Sequence, residues 1–170
     1  MKAQSPSFSI PTKHSERRRN MGIHAKTNVR VRKARLADAR VIAELSRQLG
    51  YPTPEKEMAQ RLATLLRIRS GVILIAETSS REVIGWLHVS VTPLLEVALR
   101  AEVNGLVVHE NQRSLGAGAK LLEAAERWAR SRGCKSMSVR SNVIRDRAHA
   151  FYIRNGYEHY KTQKAFRKPL

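Results

Sequence analysis

Apolar positions along this chain switch between two periods, and the switches divide it into elements. "VRVRKA" (29–34) alternates as a strand does. Asp38 then opens a helix whose Val41, Ile42, Leu45 and Leu49 fall on one face before Gly50 stops it. "TPEKEMAQRLATLLRIRSG" repeats the helical spacing, with Thr53 as N-cap, Pro54 at the first helical position and Met58, Leu62, Leu65 and Leu66 as the expected buried stripe. "VILIAET" (72–78) and "EVIGWLHVSV" (82–91) read as two strands joined by the short hairpin loop "SSR", and "VALRAEVNGLVV" (97–108) as a third. A helix over about 116–132, a strand at Ser136–Arg140, a helix over about 146–155 and a closing pair around "YEHY" and "KAFRK" complete the pattern. Hairpins followed by a strand-helix-strand crossover give an α/β fold with a mixed, mostly antiparallel sheet.

Length fits this count to one domain, because 170 residues make one core far more readily than two. Residues 1–28 stand apart: they hold Ser, Pro, Thr and the basic patch "KHSERRR" without a sustained period, and are expected to form a flexible tail. Met21 offers an alternative start of translation, with a functional basic arm as the competing reading. The tail does not carry the charge. The chain has 32 Lys and Arg against 14 Asp and Glu; residues 1–28 hold six of the basic and one of the acidic ones, which leaves 26 against 13, a net +13, for residues 29–170. Such a domain suits an anionic ligand better than a polycationic one.

Cys134 is the single cysteine, so no intrachain disulfide forms, and the six His are too scattered for a Cys/His zinc cluster. No metal is expected. A reducing, cytoplasmic setting is the default expectation, since no apolar run approaches the ~20 residues of a membrane span or the apolar core of a secretory signal.

"RSLGAGAKLLEAAERWA" (113–129) places two glycines at a helix start, directly after a strand ending at Val108. Glycines there let a backbone approach an anion closely, and the free amides and helix dipole favour negative charge. The spacing is neither that of a P-loop nor that of the dinucleotide fingerprint. On its own it reads more readily as a helix whose first turn tolerates Gly116 and Gly118, at up to about 1 kcal/mol each.

The company of these residues weighs against that bland reading. "RSNVIRDRAHAFYIRNGY" (140–157) follows the next strand, with Asn142 past its end and Tyr152 inside the helix. Together, Arg113-Ser114-Leu115-Gly116-Ala117-Gly118 and "AHAFYIRNGY" resemble, in order and separation, the two hallmarks of the GNAT superfamily of acyl-CoA-dependent N-acetyltransferases, over about residues 29–170.

The resemblance implies a GNAT-like twisted sheet with helices on both faces. It implies acetyl-CoA as cosubstrate, with its pyrophosphate on the amides of Arg113, Ser114, Leu115, Gly116, Ala117 and Gly118, and its pantetheine arm along Leu106, Val107 and Val108. Asn142 is then a cofactor-binding side chain, and otherwise a turn residue. Tyr152 becomes the acid that protonates the leaving thiolate. Glu102, or else Glu96, becomes the base, and a strand bulge at Gly105 presents the amide of Leu106 or its neighbour to the oxyanion. His149 is expected at a plain helix surface position, with contact to the cofactor or to the Tyr152 hydroxyl as the alternative; His88 and Trp86 are expected to be structural, and Cys134 to be buried rather than nucleophilic.

The activity implied is acetyl transfer to a primary amine by direct attack in a ternary complex, and the acceptor a small-molecule, peptide or protein amine. Aminoglycosides are disfavoured by repulsion from a +13 domain. An alternative is a non-catalytic acyl-CoA-sensing or nucleic-acid-binding module on the same fold, although aromatic stacking residues are scarce and no RNA-recognition signature is present. No membrane partner is expected. The segment "YEHYKTQKAFRK" is the expected sheet edge for a possible homodimer.

Overall fold

Five strands form one sheet in the order β1-β2-β3-β4-β5: Arg30–Lys33, Gly71–Glu77, Val83–Val91, Arg100–Val108 and Ser136–Val139. The first four pair antiparallel, while β4 and β5 run parallel. The structure is a computed structural model and describes residues 28–170; the basic tail and Met21 lie outside the described residues. Among the described residues no helix is long and apolar enough to cross a membrane.

Alternation assigns the two sheet faces to two cores. Leu74, Ala76, Leu87, Val89, Val91, Ala101 and Val103 pack against Leu121, Leu122, Ala125 and Ala129 of α3 (Ala117–Ser131). Ile73 and Ile75 turn the other way, onto Ile42 of α1 (Ala39–Leu49) and Leu62 of α2 (Glu55–Arg67). Helices therefore cover both faces. α4 (Asp146–Arg154) adds Phe151 and Tyr152 to the α3 side, and Tyr157 follows them.

The parallel pairing of β5 with β4 needs a crossover, and α3 supplies it. Gly50 closes α1 in the left-handed conformation at φ 94°. Asp38 precedes that helix but turns its carboxylate back: it takes the Arg35 amide at 2.7 Å and both Nη groups of Arg32 at 2.8 Å, while Arg32 Nε reaches Glu77 at 2.7 Å. This cluster ties β1, β2 and the start of α1 together.

Some elements differ from the sequence pattern. Thr53 does not cap α2; Pro54 holds that position, and Thr53 Oγ1 bonds back to the Tyr51 carbonyl. Leu66 lies off the stripe and is 42% exposed, because Met58, Ala59, Leu62 and Leu65 already span the buried face. Residues 97–99 belong to the loop before β4.

The closing strand pair is absent: Glu158–Leu170 is exposed throughout, with Phe166 at 90%, and makes no ladder. The reason is compositional. Lys161, Lys164, Arg167 and Lys168 interrupt any alternating apolar face, and β5 offers an edge of only four residues. The dimer edge expected there is accordingly not formed by this segment.

Candidate functional site

The parallel pair β4–β5 does not run the length of β4. Arg100–Val103 pair with Ser136–Val139, and the ladder then ends as the chain leaves β5 for the loop before α4. On its other edge β4 stays paired with β3 as far as Val108. Residues 104–108 are thus left without a strand on the β5 side among the described residues. A sheet that forks in this way offers an extended polar ligand a row of main-chain donors and acceptors. Leu106, Val107 and Val108 line that row.

A bulge sits at the fork. Gly105 faces His88 and Val103 faces Val89, so Asn104 is the extra residue on β4. Asn104 is exposed, and its Nδ2 donates to Ser90 Oγ at 2.8 Å. The adjoining glycine has a steric cause: a Cβ at Gly105 would lie 2.8 Å from the Trp86 ring, with Leu49 of α1 at 4.0 Å. Trp86 therefore roofs the strand where the ladder opens. Its Nε1 is buried without a hydrogen-bond partner, as is Ser141 Oγ just past β5.

At the far end of the open row the chain turns into α3. Ser114 at φ 72° and Gly116 at φ 79° both take the left-handed conformation, which bends the loop so that α3 starts at Ala117. No side chain caps this helix. Its first internal bond runs from the Lys120 amide to the Gly116 carbonyl at 3.0 Å, and the amides of residues 114–119 make no hydrogen bond within the described residues. Unspent amides on a positive helix end form an anion cradle.

The two glycines have different duties there. A Cβ at Gly116 would meet open space, so its positive φ is the constraint, whereas a Cβ at Gly118 would come within 3.0 Å of the Phe151 ring. Gly118 lets α4 pack on α3, and only its amide faces the cradle's task. Arg113 bends its Nε toward the Val108 carbonyl at 3.4 Å, which keeps a cation between cradle and strand end.

The proposed chemical groups converge unequally. Glu102 lies on β4 opposite Ser90 and Ser138, and its Oε1 forms an ion pair with Arg140 Nε at 2.6 Å. Glu96 is not on the strand at all; it lies exposed in the loop before β4, and the structure does not bring it to the fork.

Tyr152 is half-buried, edge-on to Phe151 and Tyr157 with centroids 5.3 and 5.7 Å away. Burial pushes its hydroxyl above the ordinary tyrosine value, and the charge of Arg145 only partly opposes this. Tyr157 is pushed up too, by burial and by Glu126, to which its hydroxyl donates at 3.3 Å.

Asn142 is exposed in a turn in which its Oδ1 accepts the Ile144 amide at 3.2 Å, leaving Nδ2 uncommitted. His149 Nε2 lies 3.0 Å from the Asn142 carbonyl and so braces this turn. His88 sits across from Gly105, yet its Nε2 leans toward Gly71 on β2, and burial lowers its pKa. Cys134 is buried and its thiol is pushed up by desolvation. Neither has the setting of a nucleophile.

Two arginines were not singled out by the sequence pattern. Arg140 lies just past β5 and meets Glu102, and Arg145 Nη2 donates to the Leu49 carbonyl at 2.8 Å, joining the loop before α4 to the end of α1. Both are visible in "RSNVIRDR", but only strand register shows that Arg140 meets Glu102. Among the described residues no group of three or more His, Cys, Asp or Glu side chains could hold a metal ion.

Fork and cradle lie on one continuous surface, an open strand edge running into a row of unpaired amides. Comparison with known proteins identifies the family. The chain belongs to the acetyltransferase (GNAT) family, whose model matches residues 39–157. It is 30% identical over 105 residues to an aminoglycoside N(6')-acetyltransferase type 1 of Klebsiella aerogenes, covering 60% of this chain and 69% of that protein. It is 31% identical over 134 residues to the uncharacterized N-acetyltransferase YhfO of Bacillus subtilis, covering 75% of this chain and 89% of that one. An aminoglycoside N-acetyltransferase solved in complex with CoA superposes with a TM-score of 0.76 at 18% identity, over 85% of this chain and 97% of that chain. Acetyl-CoA is the cosubstrate that family membership brings, and the free amides of residues 114–119 with the open β4 edge fit it.

Proposed function

We propose that this protein transfers an acetyl group from acetyl-CoA to a primary amine by direct attack, with both substrates bound at the fork. The observation that carries the reading is the continuity of the open β4 edge, 104–108, with the unpaired amides of 114–119. The two surfaces match the two ends of one ligand: an amide-bearing arm and a diphosphate. In this reading Leu106, Val107 and Val108 pair with the arm, the amides of Ser114 to Gly118 hold the diphosphate with the Arg113 side chain beside them, since the Arg113 amide itself bonds the Glu110 carbonyl, and the Asn142 side-chain amide adds a contact.

Acetyl-CoA supplies the activated acyl group as a thioester. The chain's own residues manage protons and charge. Glu102 receives the proton that the ammonium loses, directly or through water, because only the neutral amine is a nucleophile. The amide of Leu106 or its neighbour, beside the bulge at Asn104, donates to the acyl oxygen as negative charge develops. As the C–N bond forms and the C–S bond breaks, Tyr152 Oη donates a proton to the departing sulfur and regains one, directly or through water, from the nitrogen, which loses its second proton on becoming an amide. Its raised pKa suits this, since the hydroxyl stays protonated through neutral pH.

Amine-dependent release of CoA, followed with a thiol reagent, tests the reading. Release is expected to require an amine and to be lost when Gly116 and Gly118 are both replaced by bulky residues. Tight acyl-CoA binding with no release for any amine class would instead identify a sensor, and salt-sensitive nucleic-acid binding a module of the other kind.

A further inference from the structure

We infer that the amine acceptor carries an anionic group, a carboxylate, phosphonate or phosphate, and that Arg140 selects it. The inference rests on the acetyltransferase reading above. α3 covers one face of β4, and on the α1–α2 face Trp86 packs over Gly105 with Leu49 beside it, so an acceptor reaches the bulge at the exposed Asn104. On that face Glu102 is the acid of β4, and its charge is matched by Arg140 at 2.6 Å.

The pair does more than neutralise. The ion pair with Glu102 holds the guanidinium on its Nε side, while the two Nη groups have no partner among the described residues and the side chain is 73% exposed. Parallel N–H donors held in this way match the two oxygens of a carboxylate or phosphonate.

Arg145 and Arg147 stand in the loop and helix start that follow, and Arg113 at the cradle. The acids Glu110 and Asp146 do not outnumber them. Reach is consistent too. Val139 pairs with Val103, so Arg140 follows at the level of the bulge, and a short chain joins an anion on its guanidinium to an amine there. A polycation approaching the same face meets Arg140 and Arg145 and finds Glu102 already paired.

The test compares matched acceptors with the full chain and acetyl-CoA: 3-aminopropanoate against 3-aminopropanamide, 2-aminoethylphosphonate against ethanolamine, and spermidine as the polycation. The anionic member of each pair is expected to show about tenfold or higher kcat/KM, and Arg140→Gln to reduce that ratio about tenfold through KM. Taking the ratio cancels any effect of the substitution on Glu102, which serves both acceptors alike. Arg140→Lys is expected to restore part of the preference. Preference for the neutral member or for spermidine, or a ratio unchanged in Arg140→Gln, overturns the inference while leaving the acetyltransferase reading intact. Absence of CoA release with every amine overturns that reading and this inference with it.

Discussion

At the scale of single residues, similar side chains carry separable burdens. Gly116→Ala is expected to cost about 1–2 kcal/mol, because the substituted residue keeps a left-handed backbone, with no clash to relieve. Gly118→Ala meets the Phe151 ring instead, and a second change, Phe151→Leu, is expected to recover part of its loss of thermal stability. Gly116→Ala shows no such rescue, so melting temperatures of the three variants separate the two causes.

Tyr152→Phe is expected to lower kcat about a hundredfold or more while acetyl-CoA still binds. In the parent protein the alkaline loss of activity assigned to this hydroxyl should fall above the ordinary tyrosine value of about 10, since burial raises it. A pH–rate profile checks both points.

Asp38 gives the opposite sign. Burial pushes its carboxyl up, but the Arg32 hydrogen bonds, the Arg35 amide and their charges outweigh this and hold it below the usual range. Its contribution is therefore full above about pH 4 and is lost as pH falls through the depressed folded value. The urea midpoints of the parent and of Asp38→Asn should converge on acidification, and a gap that persists at pH 2 would contradict this.

Elements, rather than residues, make the fork. One strand pairs for four residues and then parts from its neighbour, and that parting creates the donor-acceptor row. Added acetyl-CoA should accordingly slow amide hydrogen exchange in 104–108 and 114–119 and leave 100–103, already paired with β5, nearly unchanged.

The strands and helices themselves were legible because each buries one periodic face: Leu121, Leu122 and Ala125 announce α3, and the alternation through β3 announces a two-sided sheet. The turn into α3 was legible in part, since Gly116 takes a positive φ and Gly118 a close approach to Phe151, while Ser114, also at positive φ, gave no such sign. What could not be read was pairing across long separations. The Glu102–Arg140 bridge depends on parallel register, and "YEHYKTQKAFRK" looks strand-like only until one asks which edge would receive it. Glu96 shows the same limit at a boundary, because a run of apolar residues from Val97 does not disclose that the ladder begins at Arg100.

Over the whole molecule, charge sets the terms of encounter. The net +18 makes the approach of a cofactor bearing several phosphates faster than neutral diffusion, and salt screens that gain over about 8 Å at physiological strength. The association rate of acetyl-CoA should fall as salt rises, with a much weaker effect on dissociation; stopped-flow traces at several ionic strengths would show whether it does. Trp86, lying over Gly105, also makes the fork optically addressable. The only other indole, Trp128, sits on α3 with Arg132 5.4 Å from its ring. Replacing Trp128 with Phe would leave a single emitter at the mouth of the fork, so that filling and emptying of the site become a colour change readable in real time.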